Sequence, residues 1–255
     1  MSSLGIVYFI AGLTLIALGA SIVVSNTEKL SSVLNISYFI SSLLFIGIAT
    51  SAPEIFISIL STLDQKSNIA IGNALGSNIT NIAFVFAIGL LFLKIEPSTF
   101  KKELSSEESF FLKYLIFLSF LIFYLLFDGI IDLKDSFILS ISFLVFLVLY
   151  KISFDKVRHD TSKKSSDRIA RVSLFLFFGL LILLIGTEIF LKGAISIATR
   201  IGISDYTVGL SITAIGTSIP ELAAGIESIR RKRIEFLFGN ILGSNIFNIL
   251  LVIGI

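Results

Sequence analysis

Long apolar runs separated by short polar segments make up most of the chain. A membrane-spanning helix needs about 20 such residues to cross roughly 30 Å of hydrocarbon. Eight runs reach or approach that length, and the fifth is the shortest: 4–25, 37–63, 69–93, 110–127, 136–150, 172–191, 206–229 and 236–255. Only helices and closed β-barrels satisfy all backbone hydrogen bonds in lipid. The ten-residue alternating strands of a barrel do not occur in this sequence. The pattern therefore predicts an all-α polytopic membrane protein.

Composition supports a bilayer location and removes several kinds of site. Hydrophobic residues make up 55% of the chain, and the mean hydropathy is +0.98. Cysteine is absent and the one histidine, His159, lies in a charged segment, so no disulfide framework and no Cys/His metal site is expected. The net charge is only +2, and the basic residues lie between apolar runs, so nucleic acid is not an expected partner.

The distribution of basic residues predicts the orientation. Cytoplasmic loops of membrane proteins carry an excess of Lys and Arg. With the N-terminus extracellular, sixteen of the 20 Lys and Arg residues fall on the cytoplasmic side, including the polar segment 151–171. We therefore expect a multi-pass protein of the plasma membrane with this segment in the cytoplasm.

The chain contains an internal repeat. A shift of 167 residues aligns "TSAPE" (50–54) with "TSIPE" (217–221) and "GNALGSNITN" (72–81) with "GNILGSNIFN" (239–248), with 17 identities in 39 positions. Five predicted spans separate the copies, so equivalent helices cross the membrane in opposite senses. This is the inverted-topology plan of many secondary transporters, which bind substrate near the midplane between the halves.

The repeat divides the chain into three parts. Residues 1–150 form the first inverted repeat with five helices, 151–171 form a basic connecting loop, and 172–255 form the second repeat with three helices. Ile255 aligns with Ile88, so about 60 residues of a symmetrical second half are missing. We expect the chain to be a fragment that holds eight transmembrane helices of ten.

Each copy places a proline and a glutamate inside an apolar run. Pro53 and Pro220 lack an N–H, so each helix should kink and leave the carbonyl four residues earlier, Ala49 or Gly216, without its usual partner. Free carbonyls at membrane depth are tolerated where protein or a polar cavity satisfies them. A bound cation is one way to satisfy them.

The polar side chains near these prolines carry oxygen at helical spacing. They occur in matched sets in the two copies: Thr50, Ser51, Glu54, Ser77 and Asn81, then Thr217, Ser218, Glu221, Ser244 and Asn248. An all-oxygen set suits hard cations such as Na⁺ and Ca²⁺ better than transition metals. Two glutamates at membrane depth are expensive, and a shared divalent ion would compensate them.

The remaining polar and small residues of the motifs fit simpler roles. Ser51 and Ser77 fit packing and ligation equally well from sequence alone. Four asparagines are expected to join helices or hold helix starts: Asn73, Asn78, Asn240 and Asn245. Four glycines are expected to let the third and eighth helices approach the kinked ones: Gly72, Gly76, Gly239 and Gly243.

The motifs resemble a known family. "GIATSAPE" with "GNALGSNITN", and "AIGTSIPE" with "GNILGSNIFN", are similar to the two alpha-repeats of the Ca²⁺:cation antiporter superfamily, especially its prokaryotic sodium/calcium exchangers. The resemblance implies a ten-helix exchanger with four ion sites between the second, third, seventh and eighth helices. It assigns as ligands the ten side chains named above and the carbonyls of Gly47 and Ala214.

The implied function is Na⁺/Ca²⁺ antiport by alternating access, with the first and sixth helices as the moving gates. Ca²⁺, Na⁺ and the lipid bilayer are the expected partners, and no enzyme activity, cofactor or obligatory protein partner is expected. Asn248 stands where some exchangers carry an aspartate, so the site holds two carboxylates. Their charge balances one Ca²⁺, whereas three Na⁺ would leave one positive charge and make the exchange electrogenic.

Other functions remain open from sequence. A Ca²⁺/H⁺ or K⁺-dependent exchanger would use a similar frame. An intramembrane hydrolase with paired carboxylates leaves the duplication of hydroxyls and amides unexplained and has no membrane histidine. A cation channel could also line a pore with glutamate, but a duplicated kinked-helix site favours occlusion over continuous conduction.

Overall fold

The computed structural model describes residues 2–65, 67–92, 105–157, 166–203 and 216–254. Within these ranges the regular structure is helical and contains no β-strand. The helices are α1 (Ser2–Leu34), α2 (Tyr38–Thr50), α3 (Ala52–Leu63), α4 (67–92), α5 (Ser106–Leu125), α6 (Leu133–Val157), α7 (Ser166–Arg200), α8 (Ile219–Arg230) and α9 (Ile234–Val252).

The helix lengths confirm a polytopic membrane protein. In the described part of the chain, six helices are long and apolar enough to span a bilayer, namely α1, α4, α5, α6, α7 and α9. The bent pair α2 and α3 makes a seventh span if it is counted as one. The predicted span 206–229 lies partly outside the described residues, which show only α8 and the turn before it. The total of eight spans therefore stays a prediction.

The segment 151–171, predicted to be a connecting loop, is partly helical. Helix α6 continues to Val157 and α7 begins at Ser166, so both ends of 151–171 are helical. Residues 158–165 lie outside the described ranges. The described helical ends shorten the non-helical connection between the two repeats.

Helices α1 and α7, which are equivalent in the repeat, pack against each other along their length. Glycines recur every seventh residue on both: Gly5, Gly12 and Gly19 on α1, and Gly179, Gly186 and Gly193 on α7. A Cβ on Gly19 would lie 2.5 Å from the Leu183 backbone nitrogen, so only glycine allows this approach. The contacts run in opposite order along the two helices, so α1 and α7 are antiparallel, as an inverted repeat requires.

Helix α9 forms the centre of the bundle. Of the span Ile234–Val252, 78% is buried, compared with 11% of Leu133–Ile152 in α6. Gly239 packs against α2, where an added Cβ would lie 2.5 Å from the Phe39 carbonyl oxygen. Gly243 likewise contacts the Leu43 carbonyl, which confirms the predicted close approach for the second copy. The prediction is wrong for the first copy, because a Cβ on Gly72 or Gly76 would meet no described atom within 4 Å. Helices α2 and α9 thus bring the two repeats together at the site.

Candidate ion-binding site

The predicted kink occurs in the first copy, and the described residues of the second copy have the same local backbone at the matching position. Helix α2 ends before Ser51 (φ −80°, ψ 4°), and α3 continues at an angle of 44°. Pro53 stands in the first turn of α3, where a missing N–H breaks no helical hydrogen bond within α3. Ser218 has nearly the same backbone angles (φ −90°, ψ 5°), and Pro220 occupies the matching place in α8. The two breaks place a glutamate in the first turn of each following helix.

Glu54 is fully buried and lies among hydroxyl groups from both halves of the chain. The Ser77 hydroxyl donates a hydrogen bond to Glu54 Oε1 at 3.0 Å and lies 3.3 Å from the Ser218 hydroxyl. The Thr217 hydroxyl also faces the Glu54 carboxyl group. One side of the site thus combines residues of α3, α4 and the break before α8.

Glu221 has the matching environment on the other side. The hydroxyls of Thr50 and Ser244 face its carboxyl group and lie 3.0 Å from each other. Ser244 also donates a hydrogen bond to the Gly47 carbonyl at 3.2 Å. The carboxyl groups of Glu54 and Glu221 are close enough to interact electrostatically. The fold therefore brings the two glutamates of the repeat into one buried cluster.

The asparagines contact one another across the two halves. The Asn81 amide donates to Asn245 Oδ1 at 3.1 Å, and the Asn248 amide donates to Asn78 Oδ1 at the same distance. The Asn240 amide donates to the Glu221 carbonyl at 3.1 Å. Asn78, Asn240 and Asn245 therefore join helices, as predicted.

Several buried oxygen atoms of the predicted ligands have no hydrogen-bond partner among the described residues. They are Ser51 Oγ, Glu54 Oε2, Asn81 Oδ1, both carboxylate oxygens of Glu221, and Asn248 Oδ1. Leaving polar atoms buried and unpaired costs about 1 to 3 kcal/mol each, so such atoms are rare unless they serve another purpose. A cation coordinated by these oxygens would supply the missing interactions.

The backbone oxygens of the site are only partly described. The Gly47 carbonyl accepts the Ser244 hydroxyl and so belongs to the cluster. Pro53 has no N–H to donate to the Ala49 carbonyl, which the kink was expected to free, and the freeing of this carbonyl stays a prediction. Ala214 lies outside the described residues, so its predicted role is unchanged.

One feature of the site has no signal in the sequence. A π-helical turn begins at Asn81 in α4 (Asn81–Phe86) and again at Asn248 in α9 (Asn248–Val252). Such turns shift the hydrogen-bond register by one residue and are frequent at functional sites. Their occurrence at equivalent positions indicates that both copies place the asparagine with the same local distortion.

The chemistry of the cluster is that of a hard-cation site. Its ligand candidates are carboxylate, hydroxyl, amide and carbonyl oxygens, which Na⁺ and Ca²⁺ prefer. The described part of the chain contains no group of three or more His, Cys, Asp or Glu side chains placed to hold a metal ion. Two carboxylates in a low-dielectric setting attract cations strongly.

Helical spans around a duplicated cluster of buried oxygens at helix breaks are the arrangement expected of a membrane cation antiporter. The model of the family described as sodium/calcium exchanger protein matches residues 4–151 and 172–255. The chain belongs to this family. Its resemblance to prokaryotic sodium/calcium exchangers, predicted from the two motifs, is confirmed.

Two relatives align over nearly the whole chain, and a third aligns over two thirds of it. The putative antiporter CaxA of Alkalimonas amylolytica is 32% identical over 260 residues, covering 98% of this chain and 79% of the relative. The sodium/calcium exchanger MaX1 of Methanosarcina acetivorans is 26% identical, covering 100% and 83%. Sodium/potassium/calcium exchanger 2 of Rattus norvegicus is 25% identical over 171 residues, covering 67% of this chain and 25% of the relative.

A solved structure has the same fold. The sodium-calcium exchanger from Methanococcus jannaschii superposes with a TM-score of 0.82 at 30% identity, covering 100% of this chain and 82% of that one. The similarity extends over all described helices.

Proposed function

We propose that this protein exchanges Na⁺ for Ca²⁺ across the plasma membrane by alternating access. The observation that carries the proposal is the pair of buried glutamates, Glu54 and Glu221, whose oxygens are largely unpartnered within the described structure. The hydroxyls of Thr50, Ser77, Thr217 and Ser244 surround them. Both ions compete for these oxygens.

The charge of the site explains the exchange. Two ionised glutamates repel each other and are unstable in a low-dielectric interior without a counter-charge. One Ca²⁺ neutralises both carboxylates, and Na⁺ ions bound to the same oxygens do so in the competing state. With both glutamates ionised, an unloaded site would carry two uncompensated negative charges in a low-dielectric interior, which would hinder its passage through an occluded state and so couple ion binding to conformational change.

The conformational change is a sliding of α1 and α7 against the remaining helices. Their glycine contacts hold them together as one unit. The unit meets the core through small and aliphatic side chains, including Ala20, Val23 and Val24 of α1 and Ala224 of α8. Apolar contacts are non-directional, so they permit sliding with little loss of free energy.

Orientation and direction follow from charge and gradients. The excess of Lys and Arg supports a cytoplasmic location of 151–171 and an extracellular N-terminus. An inward Na⁺ gradient then drives Ca²⁺ out of the cell. The likeness to sodium/calcium exchangers of known structure supports this assignment of ions.

The test is ⁴⁵Ca²⁺ uptake by proteoliposomes that contain the full-length protein. Vesicles loaded with Na⁺ and diluted into Na⁺-free buffer should take up Ca²⁺, whereas choline-loaded vesicles should not. Glu54→Gln and Glu221→Gln should abolish uptake. Glu188→Gln is the matched control, because Glu188 is an exposed membrane-helix glutamate paired with Lys192.

Two alternative couplings have distinct outcomes in the same assay. Uptake driven by a pH gradient and indifferent to Na⁺ would contradict the proposal in favour of a Ca²⁺/H⁺ exchanger. Uptake that requires K⁺ on the Ca²⁺ side would instead support a K⁺-dependent exchanger, a possibility favoured by the partial match to sodium/potassium/calcium exchanger 2. Absence of any coupled flux would contradict antiport altogether.

A further inference from the structure

We propose that Asn78 and Asn245 are positioning residues that turn the amide oxygens of Asn248 and Asn81 toward the ions. The inference rests on the proposed cation site and assigns a role to two residues outside its predicted ligand set. Each positioning asparagine lies in one half of the chain and acts on a ligand of the other half.

The hydrogen bond between the paired asparagines is the same on both sides, while the Asn245 amide nitrogen, unlike that of Asn78, has no partner among the described residues. Asn78 Oδ1 accepts the amide hydrogen of Asn248, and Asn245 Oδ1 accepts that of Asn81, with both N to O distances at 3.1 Å. The shift of 167 residues that relates the repeats converts one pair into the other. The arrangement is thus present in both copies of the repeat, which indicates a common purpose.

The side-chain oxygens of Asn81 and Asn248, whose NH₂ groups make these hydrogen bonds, indicate that purpose. Oδ1 of Asn81 and Oδ1 of Asn248 are buried and lack a partner among the described residues, like the oxygens of Glu221. Asn81 follows Ser77 by one helical turn on α4, and Ser77 bonds directly to Glu54. The free oxygens thus belong to the cation cluster.

An asparagine amide has a donor end and an acceptor end, and rotation of its last torsion exchanges them. A cation requires the oxygen and is repelled by the NH₂ group. An acceptor fixed on the far side of the amide binds the NH₂ group and leaves the oxygen for the ion. Without that acceptor, part of the population presents NH₂ to the site and must rotate before an ion binds.

Asn78 is itself held in place. Its amide donates to the Asn245 backbone carbonyl at 3.2 Å, so its donor end is engaged and its oxygen points to Asn248. The backbone of α9 therefore orients Asn78 on α4, and Asn78 orients Asn248 on α9. Correct ligand orientation in each half depends on contact with the other half.

The arrangement also predicts ion selectivity. The interaction of an ion with an amide dipole grows in proportion to the charge of the ion. Loss of orientation should therefore weaken Ca²⁺ binding more than Na⁺ binding at the same oxygens. A packing role for Asn78 or Asn245 would not discriminate between the two ions.

The test is equilibrium ⁴⁵Ca²⁺ binding to the purified full-length protein in Na⁺-free buffer. Asn78→Leu removes the acceptor at similar volume and should raise the Ca²⁺ Kd about five- to tenfold, the loss expected for one oriented polar contact. In an Asn248→Ala background the same substitution should have no further effect, because the amide that it orients is gone. Asn245→Leu in wild-type and Asn81→Ala backgrounds provides the second, independent pair.

The matched control is Asn26→Leu. Asn26 is a buried asparagine of α1 whose amide bonds to the Ile22 carbonyl at 2.7 Å in its own helix. This change should lower thermal stability and leave the Ca²⁺ Kd unchanged. A similar rise in Kd for Asn26→Leu would show that buried asparagines affect binding through stability alone, which overturns the inference.

The remaining outcomes separate the inference from the proposed function. The positioning role is overturned if the Ca²⁺ Kd is unchanged in both Asn78→Leu and Asn245→Leu. It is also overturned if each leucine substitution raises the Kd as much in its alanine background as in the wild-type protein. The cation site stands in both cases. A wild-type protein that binds no Ca²⁺ overturns the proposed function itself. Competition of Na⁺ with ⁴⁵Ca²⁺ completes the test. If the Na⁺ inhibition constant of a variant rises as much as its Ca²⁺ Kd, the asparagine does not act by orienting an amide dipole.

Discussion

Thr50 shows how closely single residues of the two halves interlock at the site. Its hydroxyl lies 3.1 Å from Asn240 Oδ1, 3.0 Å from the Ser244 hydroxyl and 3.1 Å from the Ile46 carbonyl. It also faces Glu221. A residue of the first repeat thus completes the environment of the glutamate in the second.

We expect Thr50→Val to raise the half-saturating Ca²⁺ concentration about tenfold, because valine keeps the shape but removes the oxygen and leaves its neighbours unpaired. Thr50→Ser keeps the hydroxyl and should remain near wild type. Initial rates of Na⁺-driven ⁴⁵Ca²⁺ uptake across a Ca²⁺ range measure both. Equal values for valine and serine would show that the hydroxyl takes no part in binding.

The sequence predicted most of the residues that meet at the site, and the repeat is the reason. Glu54 and Glu221 stand out because a polar motif that recurs at one shift inside apolar runs has no packing explanation. The orientation of Asn81 and Asn248 could not be predicted, since it depends on contacts between segments more than 160 residues apart. The resemblance assigned the Gly47 carbonyl to the site, but its contact with Ser244 of α9 depends on the fold and could not be predicted.

At the scale of helices, the α1 and α7 pair carries the clearest consequence. A Cβ on Gly12 would overlap the backbone of Phe190, so a larger side chain must push the helices apart. Gly12→Val should lower stability by about 1 to 3 kcal/mol, as overpacking does elsewhere, and should slow transport. Ala11→Val, at the neighbouring exposed position, is the control. The melting temperature in detergent measures stability, and the initial uptake rate measures transport. Equal melting temperatures and rates for Gly12→Val and Ala11→Val would contradict the close contact.

An ion-pair network joins α1 to the segment between α8 and α9. The Arg233 guanidinium donates two hydrogen bonds to Glu28 Oε1, at 2.6 and 3.0 Å, and stacks 4.5 Å from the centre of the Tyr38 ring. Arg231 lies 3.8 Å from the other Glu28 oxygen. The network therefore joins α1, which the proposed mechanism moves, to the core in this conformation.

We expect Glu28→Gln to destabilise the protein by about 1 kcal/mol, the upper range for a partly exposed pair. It should also change the transport rate, because it weakens one conformation relative to the other. Arg233→Lys should resemble it, since lysine loses both the forked contact and the ring stacking. Thermal melting and the uptake rate of each variant test this prediction. A Glu28→Gln protein with the wild-type melting temperature and uptake rate would show that the network does not stabilise this conformation.

Helix positions followed from hydropathy, but helix details did not. The runs at 110–127 and 136–150 contain most of α5 and α6, because span length is set by bilayer thickness. The π-helical turns at Asn81 and Asn248 depend on tertiary packing and left no composition signal. Helix α6 ends at Val157 and α7 begins at Ser166, both within the polar segment that hydropathy predicts to be a loop.

For the whole molecule, the charge of the site predicts an effect of membrane potential. Exchange of three Na⁺ for one Ca²⁺ moves one net positive charge with the Na⁺. Ca²⁺ uptake into Na⁺-loaded vesicles should therefore accelerate when the vesicle interior is made positive with valinomycin and a K⁺ gradient. A rate that does not respond to the imposed potential would indicate electroneutral exchange and contradict this stoichiometry.

The most direct test of the central claim is to measure ²²Na⁺ efflux and ⁴⁵Ca²⁺ uptake in the same proteoliposomes. One shared site for both ions predicts a fixed ratio of the two fluxes, and their joint loss in Glu54→Gln and Glu221→Gln. Ca²⁺ uptake that continues without Na⁺ efflux, or that survives in both glutamate variants, would contradict exchange at this site.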